Sequence, residues 1–122
     1  MPEYLIAFND DWVPDLTDDE LRAASTRVRA LRAEMSAAGV LIFTGGLDSA
    51  APVVSVDVSG GTPLFTDGPY VETKEQLGGF AVVQVADEQA ARFWAGKLAV
   101  ACGWPQEVRP FRSPGPSAPE TT

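Results

Sequence analysis

The sequence predicts a single α+β domain with a βαββαβ element order and an extra hairpin inserted near its middle. Three observations carry that prediction. Two stretches with helical periodicity alternate with apolar, strand-like runs. Two of those runs, Glu3–Phe8 and Gly79–Ala86, are apolar on both faces. Between them a Gly-Gly turn joins two short runs into a hairpin. A length of 122 residues suits one domain, and 45% apolar with 21% charged residues is near the globular average.

Taken in order, Glu3–Phe8 (EYLIAF) is the first strand, followed by an acidic loop over Asn9–Leu16 broken by Pro14. Thr17 stands three residues before Glu20, the spacing of a capping box in which each side chain satisfies the other's free backbone N–H. Asp18 and Asp19 add negative charge at the positive end of the helix dipole. Leu21, Ala24, Val28, Leu31 and Met35 then form one apolar stripe, with Arg22, Arg29, Arg32 and Glu34 largely outside it. Gly39 ends this helix in the left-handed cap position. Val40–Leu47 is the next strand, and Pro52–Val58 and Pro63–Thr66 pair through Ser59-Gly60-Gly61-Thr62. Asp67-Gly68-Pro69 signals another turn. After the strand Gly79–Ala86, Asp87 caps a second helix whose expected buried face is Ala91, Trp94, Leu98 and Ala101, ending at Gly103. Gln106–Phe111 is a last short strand. Residues 1–112 are expected to form the domain, and 113–122, with three prolines and no apolar anchor, a flexible tail.

This order matches the ferredoxin-like plan, in which the first and third main strands are central. Those positions fall on the two segments whose faces are both apolar. Tyr4, Ile6 and Phe8 alternate with Leu5 and Ala7, and Ala81, Val83 and Val85 with Phe80 and Val82. Two helices cover only one face of such a sheet. The other would be a larger apolar patch than a soluble monomer normally exposes, so a homodimer packed sheet on sheet is expected.

Composition narrows the function classes. Nine Lys/Arg against seventeen Asp/Glu give a net charge of −8, which repels phosphate backbones and anionic lipid and argues against nucleic-acid or membrane binding. With no His, a Ser-His-Asp triad, an imidazole relay and a His-ligated metal are excluded; no metal or cofactor is expected. The acidic residues Asp10, Asp11, Asp15, Asp18 and Asp19 lack the spacing of an EF-hand, and a solvated loop is expected there. One cysteine, Cys102, permits no intrachain disulfide and fits a reducing compartment. Without a basic, apolar leader or a span-length apolar run, a cytoplasmic, soluble protein is expected.

The run Thr66–Phe80 reads TDGPYVETKEQLGGF. It resembles the DGPF-type branch of the YCII-related (YciI-like) family, whose signature runs through Asp-Gly-Pro-aromatic and Glu-Thr-Lys-Glu-Gln-Leu-Gly-Gly. The resemblance extends over about residues 3–112, through Ala38-Gly39-Val40, Gly45-Gly46-Leu47 and Glu107-Val108-Arg109-Pro110. It implies a dimeric α+β barrel and small proteins of unsettled activity, often encoded beside extracytoplasmic-function sigma factors. Distant members of the fold include monooxygenases and muconolactone-type isomerases. Two departures stand out. Tyr70 replaces the usual Phe, and the His–Asp pair proposed for some relatives has no His here.

Within the motif, Asp67, Tyr70, Glu72 and Lys74 are the candidate catalytic residues. Asp67 is a candidate general base; the alternative is that its carboxylate accepts a backbone N–H two residues on, as an Asx-type turn. Glu72, Lys74 and Glu75 make either a proton-transfer cluster or a loop-fixing ion pair. Thr73 and Gln76 are candidate ligand-orienting residues or helical-turn caps. Asp48, after Gly45-Gly46-Leu47, and Gln84, the polar residue on an apolar strand, complete the ligand-binding candidates. Asp48 also suits a solvated turn, Cys102 an inert buried thiol, and Trp94 and Trp104 the core. Ser55 and Asp57 share one face of their strand. Three readings follow. The first is a small-molecule enzyme or binder with a pocket near the DGPY–ETKEQ segment. The second is a non-catalytic accessory or sensor protein linked to an extracytoplasmic-function sigma-factor system. The third is a motif that serves only folding and dimerisation.

Overall fold

The computed structural model describes residues 1–68 and 76–113. In chain order the elements are β1 (Glu3–Asn9), a 3-10 turn (Asp10–Trp12), α1 (Asp18–Ala37), β2 (Leu41–Gly46), β3 (Val54–Ser59), β4 (Thr62–Asp67), β5 (Leu77–Gln84), α2 (Glu88–Cys102) and β6 (Glu107–Pro110). Four strands form an antiparallel sheet in the order β2-β5-β1-β6, so β1 and β5 are central as their two apolar faces require. The result is an α+β fold with two helices and antiparallel sheets, consistent with the ferredoxin-like order. No helix among the described residues is long and apolar enough to cross a membrane.

Local chemistry accounts for the helix ends. The Thr17 hydroxyl accepts the Glu20 N–H at 3.1 Å, and the Thr17 N–H donates to the Glu20 carboxylate at 2.9 Å, closing the capping box. Hydrogen bonds from the Thr17 backbone and hydroxyl hold the Glu20 carboxyl below the usual carboxylate range. At the other end Gly39 has φ +73°, its N–H donates to the Ser36 carbonyl, and the Val40 N–H donates to that of Met35. This is a Schellman cap, and it turns the chain directly into β2. Asp87 caps α2 by accepting the Ala90 N–H at 2.9 Å, and Gly103, at φ +94°, ends it.

The register gives the sheet two distinct faces. Tyr4 pairs with Val83 and Ile6 with Ala81, and these side chains meet α1 and α2. Ile6, Met35 and Val83 are fully buried, with Leu31, Val85, Ala91, Ala95 and Ala101 around them. Leu5, paired with Val82, and Ala7, paired with Phe80, point the other way, and among the described residues no helix covers them. Phe43 joins this open face and is 57% exposed, its ring 6.0 Å from that of Phe80.

Several expectations need adjusting. Leu21 was expected in the buried stripe of α1, yet it is exposed, because it lies over a gap between α1 and the sheet. On α2, Ala95 and Cys102 carry burial expected of Trp94 and Leu98, which are only partly buried. The third main strand starts at Leu77 and stops at Gln84, two residues before its expected end. Val85 leaves the ladder to donate to the Pro2 carbonyl at 3.1 Å.

Among the described residues the inserted hairpin forms its own two-stranded sheet, with β3 paired to β4. Gly60 and Gly61, at φ +57° and +84°, form its two-residue turn between Ser59 and Thr62. Register places Val54, Val56, Val58, Pro63 and Phe65 on one face, with Asp67 at its end, and Ser55, Asp57, Ser59, Thr62, Leu64 and Thr66 on the other. The apolar face is open to solvent: Val58 is 67% and Phe65 68% exposed.

Candidate functional site

Two glycines on β5 and one ring on β1 shape the ground around the site. The Phe8 ring lies across Gly78 and Gly79, so close that a Cβ on Gly78 would stand 2.5 Å from it and one on Gly79 2.9 Å. Trp104 meets Phe8 edge to face, with ring centroids 5.4 Å apart. The Gly-Gly end of the motif is therefore explained by packing.

Beside this pair, between α1 and the helix-side face of the sheet, lies a cavity of about 360 Å³. Its sheet wall is Ile6, Phe8, Thr44, Gly45, Gly46 and Ala81. Leu21, Ala24, Ser25 and Val28 line it from α1, where spacings of three and four put them on one face. Leu98, Cys102, Trp104 and Gln106 close the α2 end, and the exposed Arg29 and Arg32 border it from α1. Gly46 faces this space, and a Cβ added there would meet no atom within 4 Å. The Thr44 hydroxyl donates to the Phe80 carbonyl at 3.0 Å, which leaves its lone pairs as acceptors. The Gln106 amide donates to the Cys102 thiol sulfur at 3.1 Å. Trp104 carries a buried indole N–H with no acceptor among the described residues, a costly state for a sealed donor.

Of the residues expected to form a site, the described ones, Asp48, Asp67, Gln76 and Gln84, do not line this cavity. Tyr70, Glu72, Thr73, Lys74 and Glu75 lie outside the described residues. Asp67 is the exposed last residue of β4. The expected Asx turn cannot form there, since the residue two positions on is Pro69, which has no N–H. The corner is held instead by the Gly68 N–H, which donates to the Val53 carbonyl at 2.6 Å, and by the Ser55 hydroxyl, which donates to the Gly68 carbonyl. Asp48 is exposed and accepts the Ala50 N–H at 3.0 Å, the geometry of a turn carboxylate. Gln84 reaches the Met1 carbonyl at 3.3 Å, at the opposite end of β5 from Gln76. Gln76 borders a smaller recess of about 200 Å³ on the open face, with Leu5, Ala7, Asn9, Leu77, Glu107 and Arg109. Arg109 and Glu107 form an ion pair there at 3.2 Å.

Sequence reasoning missed Ser25, Arg29, Arg32, Thr44, Trp104 and Gln106. Arg29 and Arg32 read as solvent-facing because they flank the apolar stripe. Their signal was the run Leu21, Ser25, Arg29, Arg32 down one flank of α1. Among the described residues, no group of three or more His, Cys, Asp or Glu is placed to hold a metal.

A helix-covered antiparallel sheet with a ligand-sized cavity beneath one helix defines a small α+β domain of the pocket-bearing kind. A family profile for the YCII-related domain matches residues 4–103, and the chain belongs to that family. No curated protein matches it.

Proposed function

We propose that this YCII-related protein is a homodimeric small-molecule binder whose ligand occupies the cavity between α1 and the sheet. The observation that carries the reading is the cavity itself: about 360 Å³, walled mostly by apolar side chains, with a few polar groups converging on it. Ligand sites of about 300–1,000 Å³ have this character. Among the described residues no carboxylate lines it, which favours binding over proton-transfer chemistry.

The dimer reading rests on two apolar surfaces of the same chain. The open sheet face, with Leu5, Phe80, Val82 and Phe43, needs a cover, and so does the apolar side of the β3–β4 ribbon. A second copy packing sheet on sheet would close the barrel that the family resemblance implies. Assignment to the DGPF-type branch rests on the run Thr66–Phe80, and a cytoplasmic location on the composition.

The cavity reading is tested by NMR titration of the labelled protein with a fragment library. Hits should move the amides of Ala24, Val28, Thr44 and Ala81 and disappear in Gly46→Leu. Hits that gather at Gln76, Leu77 and Arg109 would overturn it in favour of the open-face recess.

A further inference from the structure

The chemical class of the ligand is legible in the cavity's charge. The protein carries a net charge of −8, yet among the described residues the cavity is bordered by two arginines and by no Asp or Glu. Among the described residues, Arg22, Arg92, Lys97 and Arg109 each have a carboxylate partner, and Arg27 donates to the Ala101 carbonyl at 2.8 Å. Arg29 and Arg32 form no ion pair among those residues, although seventeen acidic residues are present in the chain. They stand three positions apart on α1, so the two residues border one stretch of the cavity. A guanidinium is a fork of donors without an acceptor, matched to a carboxylate or phosphate oxygen pair. The remaining lining is mostly aliphatic or aromatic, with Ser25, Thr44 and Gln106 as its neutral polar members, and suits a largely apolar body.

Resting on the reading of the cavity as a ligand site, we propose that it takes an organic carboxylate with a compact apolar body. The acid group is held by Arg29 and Arg32 at the mouth, and the apolar part lies between α1 and Gly46. A body of one or two fused rings suits the space. A long alkyl chain does not.

The test uses 1-naphthoate and its neutral counterpart 1-naphthamide as probes of the full chain. Binding is followed through the indole N–H resonances of the three tryptophans, with that of Trp104 assigned from Trp104→Phe. Naphthoate should move the Trp104 signal and bind at least tenfold more tightly than naphthamide. In Arg29→Gln/Arg32→Gln that preference should vanish. Both positions are exposed, so the variant should keep its fold. 1-Naphthyl phosphate, run beside them, separates carboxylate from phosphate. If it binds more tightly than naphthoate, the carboxylate assignment is overturned. Equal binding of naphthoate and naphthamide, or an unchanged preference in the double variant, overturns the anion assignment and leaves the cavity reading intact. If neither probe moves Trp104, or if Gly46→Leu leaves both affinities as they were, the cavity reading fails as well. Gly46→Val is the milder filling variant should Gly46→Leu lose its fold.

Discussion

Phe8 on β1 covers Gly79 on β5 so closely that a methyl group at Gly79 would sit 2.9 Å from the ring and 3.1 Å from the Gly45 carbonyl. Backbone on one side and a packed ring on the other leave that methyl nowhere to go. Gly79→Ala should therefore destabilise the protein by about 1–3 kcal/mol, the usual cost of overpacking. Gly46→Ala, which meets open space, should change stability by no more than about 0.5 kcal/mol. Urea unfolding midpoints of the two variants, measured side by side, check the contrast.

The capping box at Thr17 makes a separate prediction. Thr17→Ala removes the acceptor for the Glu20 N–H and should cost about 1 kcal/mol. The Glu20 carboxyl is held below its usual range in the folded state, so its contribution is present above the unfolded value and fades as pH falls through the folded one. Wild type should lose stability on acidification from pH 6 to pH 3 more steeply than Glu20→Gln. Thermal melts across that range would show it, and parallel curves would refute it.

Assembly through the open face is tested at Val82, paired with Leu5 at the centre of the sheet. Val82→Glu places a charge on that face and away from the helix-side core. Wild type should sediment as a dimer at micromolar concentration, and the variant as a monomer with an unchanged far-UV spectrum. A monomeric wild type would remove the closed barrel and leave the cavity under α1 untouched.

Cys102 is buried at the α2 end of the cavity and accepts a hydrogen bond from Gln106. Its reaction with an aromatic disulfide reagent should be at least tenfold slower in the native protein than in denaturant. Comparable rates would mean that the cavity opens widely enough to admit the reagent.

The framework was readable from the sequence because its signals are local. Thr17 with Glu20, Gly39, Asp87 and Gly103 mark helix ends through contacts a few residues apart, and alternation in Glu3–Phe8 identified a central strand. The cavity was not readable in the same way. Its walls come from β1, α1, β2, β5, α2 and the Trp104–Gln106 segment, and no spacing along the chain brings these together. Arg29 and Arg32 illustrate the difficulty. On a helical wheel they are ordinary solvent-facing cations, and only the gap beneath Leu21 gives them a shared space to border. The motif residues pointed elsewhere: Gly78 and Gly79 turned out to serve packing, and Asp67 to end a ribbon strand.

Gly46 has a wider consequence. It sits on an edge strand with a backbone that ordinary residues adopt, and its missing side chain borders vacant space. A single codon there sets the depth of the chamber: alanine, valine and phenylalanine would shorten it stepwise while the surrounding walls stay put. The size of that space can thus diverge between descendants of this chain without any redesign of the scaffold.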